Sequence, residues 1–219
     1  MNYVRRIEEF DEASYHVIGK TFKIPISKNY KTSNFNIGGF KMRSYTYQAP
    51  YVKSSTARIN ISDSEGINSG YTERYFKTIF HRLFDMWVGE NKFLSDHRAF
   101  NENGEKIIEA HKKNYTMKRS EYQYSFLGGQ YKGLDLVARQ KGIDIISPIY
   151  EINGGDINIT TKKEILDWTK FYENGKEIGR WKISLQKNLK AHILIEEEAT
   201  IQDPLFYAIA GQMLYFIGD

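Results

Sequence analysis

The residues best suited to hold a ligand are three basic pairs, Lys112-Lys113, Lys118-Arg119 and Lys162-Lys163, each with an aromatic nearby in sequence: Tyr115, Tyr122 and Trp168. Closely spaced ammonium and guanidinium groups suit a phosphate or other anionic headgroup, because charge-assisted hydrogen bonds at short range are the strong ones. Glu109, Glu121 and Glu164 interleave with them, which is also the composition of an ordinary solvated strand face. A second stretch, 74–88, carries chemistry of another kind. Projected at about 100° per residue, Tyr75, Phe76, Ile79, Phe80, Leu83, Phe84, Met86 and Trp87 share one half of the wheel, and Arg74, Lys77, His81, Arg82 and Asp85 the other. That pattern is an amphipathic helix, aromatic and basic, so Arg74, Lys77, Phe80, Arg82, Phe84 and Trp87 are candidates for contact with a membrane or a partner. The competing reading docks the apolar face on protein. Asp85 and Glu90 weaken the membrane case, and docking is the expectation.

Catalytic chemistry finds little support. The chain has no Gly-x-x-x-x-Gly-Lys-Ser/Thr loop, no His-Glu-x-x-His, no Gly-x-Ser-x-Gly elbow and no kinase motif set. His16, His81, His97, His111 and His192 stand singly, and cysteine is absent, which excludes disulfides and thiol nucleophiles. Glu196-Glu197-Glu198 with Asp203 offers oxygens to a cation but lacks an alternating ligand loop, so a solvated turn with Asp203 serving a helix start is the expectation. No catalytic residue, metal or cofactor is expected.

The elements that must position these residues are short strands. Tyr45-Thr46-Tyr47 and Tyr122 to Phe126 alternate as half-buried strands do, and Ile143 to Ile149 and Asp156 to Thr160 read as further ones. Gly128-Gly129, Lys141-Gly142 and Asn153-Gly154-Gly155 mark reversals. The stretch from Phe100 to Lys112 resembles that from Phe171 to Lys182 in its aromatic entry, Glu-Asn-Gly turn and alternating exit, and Ile59 to Gly66 is a looser version. Asn103-Gly104 and Asn174-Gly175 therefore predict hairpin turns with positive φ at glycine. Before Tyr45 the pattern suggests a short helix over Arg5 to Phe10, a strand over Tyr15 to Ile26 interrupted at Pro25, and a polar connection from Ser27 to Asn36.

Residues 204–217 have Gln212 as their only strongly polar member, behind an Asp203-Pro204 start suited to an N-cap and a first helical turn. A helix apolar all round must be enclosed by protein or lie in lipid. At about 1.5 Å per residue it is roughly 20 Å long, short of a span, so enclosure is the expectation.

The 219 residues fit one all-β unit. A net charge of +4 is mild, and with no RNP-like or helix-turn-helix pattern it argues against a nucleic-acid partner. The absence of cysteine and of an apolar run after Met1 suggests a cytoplasmic protein without a secretory signal.

Repeated hairpins of aromatic, Gly-bearing polar turn and Ile-Gly-Arg, then a strand from His192 to Ile195, the acidic turn Glu196 to Glu198 and a final apolar helix opened by Asp203-Pro204, resemble the tubby C-terminal-like superfamily. That superfamily includes tubby proteins, phospholipid scramblases and LURP-one-related proteins, and the chain looks most like its small bacterial members. The resemblance implies a closed antiparallel β barrel of about twelve strands around the C-terminal helix, over 45–219, with 1–44 as an extension packed on it. It also implies a non-enzymatic domain that binds an anionic lipid surface or lipid-like ligand, peripheral at the membrane, by analogy with the basic residues that hold phosphoinositide headgroups in tubby proteins. Scramblases are calcium-responsive, which is the family argument for a cation at the acidic turn. The alternative is a protein-interaction module, such as a regulatory or toxin-neutralising partner with aromatic anchors.

Overall fold

The computed structural model describes residues 10–17, 20–27, 36–37, 40–51, 55–88, 96–113, 120–142, 147–163, 168–184 and 189–215. Two compact units divide at residue 33. The first contains a hairpin of β1 (Phe10–Val17) and β2 (Lys20–Ser27), with Phe10 opposite Ser27 and Val17 opposite Lys20. This corrects two expectations. Phe10 begins a strand rather than ending a helix, and Tyr15 to Ile26 spans two antiparallel strands. Pro25 lies within β2, a position open to proline because both strands of a two-stranded sheet are edges. Residues 5–9 and 28–35 lie outside the described residues.

The second unit is a barrel. Its strands are β4 (Phe40–Gln48), β5 (Ile59–Asp63), β6 (Asn68–Tyr75), β7 (Asp96–Phe100), β8 (Lys106–Lys112), β9 (Glu121–Phe126), β10 (Asp135–Lys141), β11 (Ile149–Gly154), β12 (Ile157–Lys163), β13 (Thr169–Glu173), β14 (Lys176–Ser184) and β15 (Lys190–Glu196). Each pairs antiparallel with its chain neighbours, and β15 returns to β4 with Lys190 opposite Gln48 and Glu196 opposite Met42. Those pairings close a twelve-stranded barrel, which leaves no free sheet edge among these strands. A two-residue strand, β3 (Asn36–Ile37), adds to the start of β4.

Alternation along the strands builds the inner face of the barrel. Tyr122, Tyr124 and Phe126 of β9, Leu136 and Ala138 of β10, and Ile157, Ile159 and Thr161 of β12 are buried, with exposed or half-buried residues between them. The strand expected over Ile143 to Ile149 is misplaced: β11 runs from Ile149 to Gly154, Ser147 and Pro148 precede it outside any strand, and 143–146 lie outside the described residues.

The barrel encloses helix α2 (Pro204–Leu214), and every residue from Leu205 to Tyr215 is buried. Asp203 caps it, its Oδ1 accepting from the Leu205 N–H at 2.9 Å, with Pro204 in the first turn. Phe206 packs on Tyr124 and Phe126, and Tyr207 on Phe171. Gly211 faces the Trp181 indole so closely that a Cβ would sit 2.3 Å from a ring atom, so only glycine fits. Gln212, the polar exception, reaches the Thr72 hydroxyl at 3.4 Å. No helix among the described residues is long and apolar enough to cross a membrane.

A second helix, α1 (Ile79–Val88), lies in the connection from β6 to β7. It starts later than the sequence pattern suggests. Arg74 and Tyr75 finish β6, where they pair with His97 and Asp96. Ladder bonds to β7 take these two residues out of a helix that their side-chain periodicity alone would allow. The Thr78 side chain begins α1, Oγ1 accepting from the His81 N–H at 3.2 Å.

Candidate functional site

Antiparallel order sorts the connections between two barrel ends. Strands β4, β6, β8, β10, β12 and β14 all finish at one end, where β5, β7, β9, β11, β13 and β15 start, and α1 lies along the chain between β6 and β7. The tight turns and the start of α2 occupy the other. The first is called the α1 end and the second the turn end.

Most residues singled out from sequence map to the α1 end. Lys112 closes β8 and Lys113 follows it; Lys162 and Lys163 close β12; Lys77, Phe80, Arg82 and Trp87 belong to the connection that holds α1. Lys118 and Arg119, and the Phe84 side chain, lie outside the described residues. Arg74 departs from its expected place: it is buried on the inner face of β6, its guanidinium 4.7 Å from the Phe76 ring centre.

The expected docking of the α1 apolar face is not met. Ile79 is 70% exposed, Phe80 76%, Leu83 56% and Trp87 87%. Helical spacing aligned these side chains on one face but carried no information about what covers it. Lys77 and Arg82 are exposed beside them.

A polar network secures the strands that flank α1. The Tyr75 hydroxyl donates to Glu109 Oε1 at 2.8 Å, while the Arg98 guanidinium lies 3.5 Å over the Tyr75 ring and its Nε is 3.3 Å from the same carboxylate oxygen. His111 Nδ1 is 3.2 Å from the Tyr75 hydroxyl and 3.4 Å from Asp96 Oδ1. Burial, aided by Glu109, pushes the Tyr75 hydroxyl pKa up, so it remains a protonated donor at neutral pH. Burial would raise Glu109, but Tyr75, Lys106 and Arg98 outweigh it and hold its carboxyl below the usual range. The chemistry here is positional, tying β6, β7 and β8 together at the root of the helix.

The basic candidates differ in setting. Lys112 is half-buried, 5.8 Å from the Tyr122 ring centre, and burial lowers its pKa. Lys113 Nζ lies 3.9 Å from Glu121 Oε1, and Arg139 Nε is 2.9 Å from Oε2 of the same carboxylate. Lys162 stands opposite Lys170, which stands opposite Arg180, so three cations lie abreast on the outer face of β12, β13 and β14. Arg180 is joined by Glu177. Like charges directly opposite are unfavourable across strands, which makes this row a better anion neighbour than its members taken singly. Lys170 and Arg180 escaped the sequence search because the row exists only across strand pairings. The available signal was the near-equal sequence distance of Lys162 and Lys170 from the end of β12 and the start of β13.

The acidic turn at the opposite end is divided among separate tasks. Glu196 is buried, and that burial raises its carboxyl pKa; Glu198 pairs with Lys176, and Asp203 caps α2. Among the described residues no group of three or more His, Asp or Glu is arranged to hold a metal ion.

Searches of curated proteins and of solved structures return no match. The family model described as Tubby C-terminal like domain matches residues 45–217, nearly the whole of the barrel with its enclosed helix, and the chain belongs to that family.

Proposed function

We propose that this chain is a non-enzymatic binding domain for an anionic lipid surface or lipid-like ligand, with α1 as the element that enters the headgroup region. The observation that carries this reading is the exposure of Ile79, Phe80, Leu83 and Trp87 on one helix, in a domain whose other large apolar side chains are mostly enclosed. An amphipathic helix of this kind lies in the plane of a membrane interface, with Trp at headgroup depth and basic residues toward anionic lipid. Lys77 and Arg82 supply that charge. Membership of the tubby family, whose tubby proteins hold phosphoinositide headgroups with basic residues, supports the same ligand class.

The test is a thermal melt paired with co-sedimentation on vesicles containing phosphatidylserine. Leu83→Ala is expected to leave the melting temperature unchanged and weaken vesicle binding by about tenfold or more, since it removes apolar area that only the membrane buries. Lys77→Glu with Arg82→Glu should abolish the preference for anionic vesicles. A lowered melting temperature, with no vesicle binding by the parent protein either, would place α1 against protein and favour the protein-interaction alternative.

A further inference from the structure

We infer that the barrel seats end-on against an anionic bilayer, its axis close to the membrane normal, with the α1 end toward the headgroups and the turn end pointing away. The inference rests on the membrane reading above and adds the face and orientation of contact.

The two barrel ends differ in charge. Among the described residues, the connections at the α1 end carry four basic residues, Arg58, Lys77, Arg82 and Lys113, and one acidic residue, Asp85. At the turn end, segments 64–67, 101–105, 127–134, 155–156, 174–175 and 197–203 contain one basic residue, Lys132, and seven acidic ones. The strand termini reinforce the difference: Lys112, Lys141, Lys162, Lys163 and Lys190 stand at the α1 end with Asp96 and Glu121, whereas Asp63, Asp135, Glu173 and Glu196 stand at the turn end with Lys106 and Lys176. Helix α2 directs its carboxyl end there as well, which offsets this by only about half a charge.

Distance makes the polarity effective. Strands of this length set the two ends roughly 20 Å apart, beyond the Debye length of about 8–10 Å at physiological salt. A charged leaflet therefore acts mainly on the nearer end. The basic end is drawn in and the acidic end held off.

Side-on contact around α1 fits the charges less well. The wall beside α1 carries paired charges: Arg98 with Glu109, Arg58 with Glu73, and Arg139 with Glu121. Lys162 lies five strands from β7 in one direction and six from β6 in the other, nearly opposite α1 around the rim. A flat surface touches both only when it meets the barrel end.

The absence of cysteine makes a direct test possible, because each introduced cysteine carries the only label. Leu83→Cys on α1, Lys162→Cys on the opposite rim and Asn103→Cys at the turn end are each labelled with an environment-sensitive fluorophore. Each is mixed with phosphatidylcholine–phosphatidylserine vesicles bearing a nitroxide on the headgroup. End-on seating predicts at least twofold quenching at Leu83 and at Lys162 and none at Asn103. Quenching at Leu83 alone overturns the orientation while leaving membrane binding in place. Quenching at Asn103 also overturns it, and no quenching anywhere together with no co-sedimentation overturns both readings. As an independent variant, Lys162→Glu with Lys190→Glu, both remote from α1, should weaken anionic-vesicle binding at least tenfold without shifting the melt; unchanged affinity overturns the proposal.

Discussion

Asp203 performs two tasks that pull in opposite directions. Its carboxylate caps α2, yet burial raises its pKa to about 6, only partly opposed by the Leu205 N–H. The unfolded chain keeps the ordinary value near 3.8. Between those values the folded state holds a proton that the unfolded state has lost, so this residue makes stability fall as pH rises from about 4 to 6. Above pH 6 the penalty is complete. Asp203→Asn keeps an oxygen for the Leu205 N–H and removes the charge, so the variant should gain about 1–2 kcal/mol at pH 7.5, after loss of a favourable helix-dipole contact. Denaturant melts at pH 4 and 7.5 check this. A variant less stable than the parent at pH 7.5, or a difference that does not grow with pH, would contradict it.

At the scale of elements, the hairpins divide differently from their sequence resemblance. Asn174 and Gly175 have φ of 51° and 77°, the two-residue turn with both centres positive. Gly104 also has positive φ, 80°, but in a three-residue loop where the Asn101 N–H reaches the Glu105 carbonyl and Asn101 Oδ1 accepts from Asn103 and Glu105. Asp63 to Ile67 repeats that loop atom for atom, with Asp63 Oδ1 accepting from Glu65 and Ile67. The closer structural pair is thus the looser sequence pair, because an Asp or Asn three residues before glycine sets this loop and the flanking aromatics do not. Nothing lies within 4 Å of a Cβ built on Gly175, so substitution there reports backbone conformation alone. Gly175→Val should cost about 1–2 kcal/mol, and Gly175→Asn clearly less, since Asn tolerates positive φ. Equal melts for the two variants would show that the turn relaxes.

For the whole molecule, the enclosed helix is the central constraint. Ile209 is fully buried within the barrel, and an unpaired carboxylate there costs several kcal/mol, a large share of the 5–15 kcal/mol that usually holds a domain together. Ile209→Asp should be insoluble, or soluble and unfolded by circular dichroism. Normal folding with an unchanged melt would mean that α2 does not form the core. Because α2 fills the barrel, ligand contact is left to the outside of the barrel and its ends, where α1 and the lysines stand.

Several barrel strands, β9, β12 and β15 among them, the enclosed C-terminal helix with its Asp203-Pro204 start, and positive φ at Gly104 and Gly175 were legible in the sequence. Each is written locally, in alternation, all-round apolarity or a turn residue whose conformation few others accept. Only the tertiary structure shows that α1 starts after β6 with Ile79, Phe80, Leu83 and Trp87 exposed, that Lys162, Lys170 and Arg180 stand abreast, and that basic and acidic strand ends part to opposite ends among the described residues. A hydrophobic period shows which side of an element avoids water, but the surface that meets that side comes from residues distant in the chain. Register and closure bring those residues together, and neither is encoded within any one segment.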